Sequence, residues 1–217
     1  MKLSKRTLAV LKNFSTINQS ILVKPGSTID TISNVKDIYA KTELDETFEK
    51  EFAIYDLNEF LGVVSLFEDP EFEFGDDSVI ISDDGASQKY YYADKAIITS
   101  APDNGVTLPS VEVNKTLSKE NLQRLVKAAT INNAQDITFS EEGVVVHDKS
   151  VPTSNKFTIE QKEGSTAKYS LSISVDKLKF LIDDYDISIC AKGLAGFEGA
   201  GGVSYFVALQ PQGTYNA

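Results

Sequence analysis

The most pointed spacing in this chain belongs to a set of basic residues. Lys5 and Lys12 are seven positions apart, close to two helical turns, so a helix would put both on one face, with Arg6 beside it. A second segment carries Lys119, Arg124 and Lys127, and a third carries Lys177 and Lys179. Ammonium and guanidinium groups in such rows make charge-assisted contacts with anions, phosphates above all, and break no bonds. The formal net charge of −11 over 217 residues argues the other way when taken as an average. The charge is segregated, however. No Asp or Glu precedes Asp30, whereas Lys2, Lys5, Arg6, Lys12 and Lys24 all do. From Glu68 to Asp84 there are eight carboxylates and no base. An acidic body with a separate basic face is one reading; chance clustering on a solvated surface is the other.

Groups suited to catalysis do not assemble into a constellation. His147 is the only histidine, so no second imidazole exists for a zinc site or a proton relay. Ser165-Thr166-Ala167-Lys168 and Ser174-Val175-Asp176-Lys177 match the loose Ser-x-x-Lys pattern, without the Lys-Thr-Gly that accompanies it in acyl-transfer enzymes. Gly193 to Gly202 has neither the GxGxxG spacing nor the Gly-Lys-Ser/Thr ending of a phosphate loop, and reads as a hairpin tip or chain reversal. Glu68, Asp69, Glu71, Glu73, Asp76 and Asp77 miss the calcium-loop pattern and read as a solvated acidic surface. The single Cys190 lies in the apolar run Ile187–Ala191 and is expected as a buried thiol. The expectation is a protein that is not an enzyme and holds no cofactor or metal. No stretch resembles a signal peptide or spans a bilayer, which points to a reducing, intracellular setting with no membrane partner.

The elements that must position the basic residues come from a duplication. SKRTLAVLKNFSTIN at 4–18 and SKENLQRLVKAATIN at 118–132 align without a gap, sharing Ser, Lys, two Leu and a final Thr-Ile-Asn. DLNEFL at 56–61 is echoed by DKLKFL at 176–181. Two helices in matching order in each half predict domains at 1–107 and 108–217, joined near Ala101–Gly105. Ser4 and Ser118 are expected N-caps. Leu8, Leu11 and Phe14 are expected to bury in the first helix, with Val10 flanking; Leu122, Leu125, Val126 and Ala129 form the stripe of its partner. Glu120 can pair with Arg124 four residues on. The second helices are expected near 56–66 and 176–183, where the first has Asp56 and Glu59 and no base. Short alternating stretches separated by turn signals fill most of the remainder as strands, among them 28–32, 35–40, 48–54, 106–113, 144–147 and 204–209. Helices against antiparallel sheet give an α+β class.

MKLSKRTLAVLKNFSTIN, FAIYDLNEFLGVVSLF at 52–67, LSKENLQRLVKAATI at 117–131 and YFVAL at 205–209 together resemble the sliding clamp of T4-like bacteriophages, in order along the whole chain. The resemblance implies duplicated sliding-clamp domains, with two helices packed on antiparallel sheet in each. It implies a homotrimeric ring with helices lining the hole. Lys5, Arg6, Lys12, Lys119, Arg124, Lys127, Lys177 and Lys179 would then face duplex DNA without reading its sequence. It implies a replicative DNA polymerase as the tethered partner, an ATP-driven clamp loader, and in some members transcription factors for late viral genes. It implies the cytoplasm of an infected bacterial host.

Two other readings fit the residues alone. A non-enzymatic viral scaffold or structural protein shares the α+β class, but gives no reason for doubled basic helices. A single-stranded DNA-binding protein needs stacking aromatics among bases. Tyr90-Tyr91-Tyr92 offers rings, although strand alternation sends Tyr91 to the face opposite its neighbours.

Overall fold

The computed structural model of the chain describes residues 1–161 and 167–216. They fall into two compact units, Met1–Val106 and Thr107–Ala217.

The first unit starts with α1 (Lys5–Ile17), followed by β1 (Ile21–Val23), β2 (Gly26–Ile32), β3 (Ile38–Phe48) and β4 (Phe52–Ile54). Then come α2 (Leu57–Val64), β5 (Glu71–Phe74), β6 (Ser78–Asp83) and β7 (Ala86–Tyr91). Pairing is antiparallel: β1 with β4, β2 with β3, and β5 with β6 with β7. The helices have local causes. The Asp56 carboxylate accepts from the N–H groups of Asn58 and Glu59, both at 3.0 Å, and so caps α2. The β6–β7 hairpin closes on Asp84 and Gly85, both at positive φ, as its two-residue turn requires. Val10, Leu11 and Phe14 of α1, Leu57 and Phe60 of α2, and Val79 and Ile81 of β6 are buried. The rings of Phe48, Phe52 and Phe74 pack 5.1–5.5 Å apart, centroid to centroid.

The second unit runs β8 (Val113–Leu117), α3 (Lys119–Asn132), β9 (Asp136–Ser140), β10 (Gly143–His147) and β11 (Phe157–Glu160). It continues with β12 (Lys168–Ser174), β13 (Tyr185–Cys190), β14 (Leu194–Gly199), β15 (Val203–Ala208) and β16 (Thr214–Asn216). One antiparallel set has the order β11-β10-β9-β12-β16, and the other β8-β13-β14-β15. Gly143 opens β10 at φ 145°, and a Cβ there would lie 2.0 Å from the Ile159 carbonyl oxygen of β11. Only glycine lets the two backbones approach so closely. Cys190 is buried, with its Sγ 3.2 Å from the Ser110 hydroxyl.

The α+β class with antiparallel sheets holds, but the helix count differs between units. The helix expected over 176–183 is absent; a single 3-10 turn, Val175–Lys177, stands there. The backbone is claimed by tertiary partners. Leu181 N–H donates to the Tyr205 hydroxyl at 3.1 Å, and its carbonyl accepts from the Tyr185 hydroxyl at 2.6 Å. Phe180 packs 4.6 Å from the Tyr205 ring and 4.7 Å from that of Phe197. These contacts displace the helical i→i−4 bond that the DKLKFL pattern suggests. Three strand readings also change. Residues 106–112 are connecting chain, and β8 begins only at Val113; Pro109 brings no N–H to a ladder. The expected break between 40 and 48 is bridged by β3. The glycine-rich run opens with β14, whose Gly196 faces the Leu108 side chain at 3.2 Å from a virtual Cβ.

Candidate nucleic-acid interface

α1 is held by its own sequence and by β3. Ser4 caps it, its Oγ accepting from Thr7 N–H at 3.1 Å. The Glu46 carboxylate of β3 accepts from Ser4 N–H and, at 2.5 Å, from the Thr7 hydroxyl. Burial pushes the Glu46 carboxyl up, but the bonds from Thr7 and Ser4 outweigh it and hold it below the usual carboxylate range. Thr7, Val10, Leu11, Phe14 and Ile17 bury, which turns Lys5, Ala9, Lys12 and Thr16 outward at spacings of four, three and four. Leu8, expected in the core, is only half-buried, and Val10 takes its place. No carboxylate occurs in α1 itself.

α3 repeats the plan. Ser118 Oγ accepts from Asn121 N–H at 3.3 Å, and the Asp184 carboxylate accepts from Lys119 N–H at 2.6 Å. Leu122, Leu125 and Ala129 bury. Lys119, Gln123, Val126 and Thr130 form the outward row, with Lys127 beside it. Val126 therefore lies at the rim, 37% exposed, and not in the core stripe expected for it.

The eight basic residues singled out from the sequence divide into two groups. Lys5, Lys12, Lys119 and Lys127 are exposed on the outward faces of α1 and α3, and among the described residues none of their amines has an ion-pair partner. Other lysines of the first unit are paired: Lys2 with Asp69, Lys50 with Asp76, Lys24 with Asp103 at 2.9 Å, and Lys95 with Glu51 at 2.7 Å. The remaining four singled-out residues are committed elsewhere or sit on a different element. Arg6 is half-buried, donating to the Glu43 carbonyl at 2.7 Å and the Thr42 hydroxyl at 3.0 Å, so it ties α1 to β3. Arg124 reaches Asn121 Oδ1 at 3.3 Å and lies 5.3 Å over the Phe157 ring; the pair expected with Glu120 is not formed. Lys177 and Lys179 are half-buried on the 3-10 turn and the chain after it, where no α-helix forms to carry them. Sequence reasoning missed Glu46 and Asp184. Each lies far along the chain from the helix it caps, and no local signal marks it.

Other candidate chemistry resolves into structure. His147 Nε2 lies 2.8 Å from the Thr138 hydroxyl, and burial pushes the imidazole below its ordinary range. Ser174 Oγ donates to the Gln135 carbonyl at 3.5 Å; Ser165 of the other Ser-x-x-Lys match lies outside the described residues. Among the described residues no group of three or more His, Cys, Asp or Glu is placed to hold a metal ion. None of the described helices is long and apolar enough to cross a membrane. Of the three tyrosines, Tyr90 donates to the Asp56 carbonyl at 3.3 Å and Tyr92 stacks on Phe52 at 5.0 Å. Tyr91 alone is left exposed, too little for a stacking platform.

Two units of basic helix on antiparallel sheet make the DNA-clamp architecture. The fold matches that of A. fulgidus PCNA, solved with the C-terminal region of FEN-1, with a TM-score of 0.69, 13% identity and 97% of both chains covered. The DNA polymerase processivity factor family matches residues 2–97. The sliding clamp of Vibrio phage KVP40 is 30% identical over 221 residues, 97% of this chain and 99% of its own. That of Enterobacteria phage T4 is 31% identical over 234 residues, the whole of both chains. The chain belongs to the sliding clamp family.

Proposed function

We propose that this protein is a replication processivity factor, which closes as a homotrimeric ring around duplex DNA and tethers the replicative polymerase without catalysis. The observation that carries the reading is the set of four lysines, Lys5, Lys12, Lys119 and Lys127, standing outward on two repeated helices, with no ion pair among the described residues, in a chain of net charge −11. Lys5 and Lys12 are about 10 Å apart along α1 at 1.5 Å per residue, a spacing that meets separate phosphates of a duplex. Contacts of ammonium with phosphate carry no base information and are exchangeable, so the duplex is held without being gripped. Topological closure then does what affinity does not. The tethered polymerase meets the primer end at high effective concentration. The carboxylates elsewhere on the surface repel DNA from the outside.

An ATP-driven loader to open the ring, transcription factors for late viral genes, and the cytoplasm of an infected bacterium belong to the same proposal. Light scattering across a concentration series tests it. A mass three times that of the 23.8 kDa chain supports closure by three copies; a stable dimer rules that closure out.

A further inference from the structure

Two arginines adjoin the outward lysines, and the fold holds them to different degrees. Arg6 is half-buried and donates two bonds to β3, at 2.7 Å and 3.0 Å. Arg124 is exposed. Its bond to Asn121 Oδ1 stays within α3 and, at 3.3 Å, is longer than usual for an N–H donor. Among the described residues its hold on another element is the ring of Phe157, half-buried at the start of β11, with the centroid 5.3 Å away. At an exposed site a cation over a ring gains only about two- to fivefold in population. A guanidinium that meets a phosphate forms charge-assisted bonds, often two in parallel, each roughly twice as strong as a neutral one. A phosphate within reach therefore outcompetes the ring. Lys127 is three residues from Arg124, so the two side chains are neighbours on the surface of α3.

We propose that Arg124 is a conditional DNA contact: it rests on Phe157 while the duplex is away from α3, passes to a phosphate beside Lys127 when the duplex approaches, and returns to the ring as the duplex moves on. The ring competes with each phosphate and so shortens the arginine's stay on it. This rests on the clamp reading above.

The test is anisotropy of the full-length protein with a short linear duplex between 50 and 200 mM salt, with thermal melting of each variant. Arg124→Ala should flatten the slope of log affinity against log salt by about 0.9 for each copy of α3 engaged, a fall in affinity about three- to fourfold smaller over that range. Phe157→Leu keeps an apolar group and removes the ring, so it should bind about two- to fivefold more tightly at 50 mM for each copy engaged. That gain should vanish when Arg124→Ala is added, because Phe157 acts on DNA only through Arg124. An unchanged slope in Arg124→Ala would overturn the proposal. So would a Phe157→Leu variant that binds like the parent, or one whose gain survives without Arg124. If Phe157→Leu melts early, the side-chain NMR signals of Arg124 decide: their ring-current shift should disappear as duplex is added, and a shift that persists at saturation would overturn the proposal. Lys127→Ala is the control for the face itself; a parent slope in that variant and in Arg124→Ala alike would count against the clamp reading as well.

Discussion

Replacing Lys5 and Lys12 together with Ala removes two amines that have no ion-pair partner among the described residues and lie on one exposed face. The fold should not notice, since both helix caps and the buried stripe of α1 are untouched. DNA binding should change in a defined way. Each phosphate contact contributes about 0.9 to the slope of log affinity against log salt, so two lost contacts flatten the slope by about 1.8 for each copy of α1 engaged. Between 50 and 200 mM salt, a fourfold change, that amounts to about a tenfold smaller fall in affinity. Fluorescence anisotropy with a short linear duplex, which a closed ring can thread, measures the slope directly. The variant should bind more weakly at 50 mM and approach the parent at 200 mM. The same slope in parent and variant, with unchanged melting, would refute the assignment of this face to DNA.

Arg6→Ala should behave in the opposite sense. It loses the bonds to Glu43 and Thr42, so melting should show a stability loss of about 1 kcal/mol while the salt slope stays near that of the parent. Gly143→Ala should cost about 3 kcal/mol or prevent folding, because its Cβ would meet the Ile159 carbonyl at 2.0 Å and its φ is positive. His147 is depressed below its ordinary 6.5 by burial, against the opposing pull of Asp136. The unfolded chain therefore takes up that proton first, and stability present above about pH 6.5 declines as pH falls through the folded value. His147→Asn should flatten the melting profile in that window. Glu46 lies below its ordinary 4.5, so its contribution is complete above that pH and is lost as pH falls through the folded value. Acid melting of Glu46→Gln should lack that component.

The elements that carry the basic face were readable because their signals are local. Ser4 and Ser118 cap as expected, and lysines seven apart share a face whenever the segment is helical. What lay beyond the sequence was tertiary. Arg6 looks from its spacing like part of the outward set, yet the Glu43 carbonyl and Thr42 hydroxyl of β3 draw it inward. Arg124 offers Glu120 at helical spacing and takes Asn121 and the Phe157 ring instead. The helix expected at 176–183 has a good local pattern, but Phe180 has three aromatic neighbours to satisfy, and burying that ring fixes the chain in a different course. Glu46 and Asp184 illustrate the same limit: a cap supplied across about 40 or 65 residues of chain leaves no periodic trace.

Retention on DNA of different topology tests the central claim most directly. The protein is loaded onto nicked circular duplex, separated from free protein by gel filtration, and followed before and after a single restriction cut. A closed ring held by topology stays on the circle through a salt wash and leaves within minutes of linearisation, by sliding off the ends. Equal retention on circle and linear DNA, or loss from the circle as salt rises, would show that the chain holds DNA by affinity and would contradict the account.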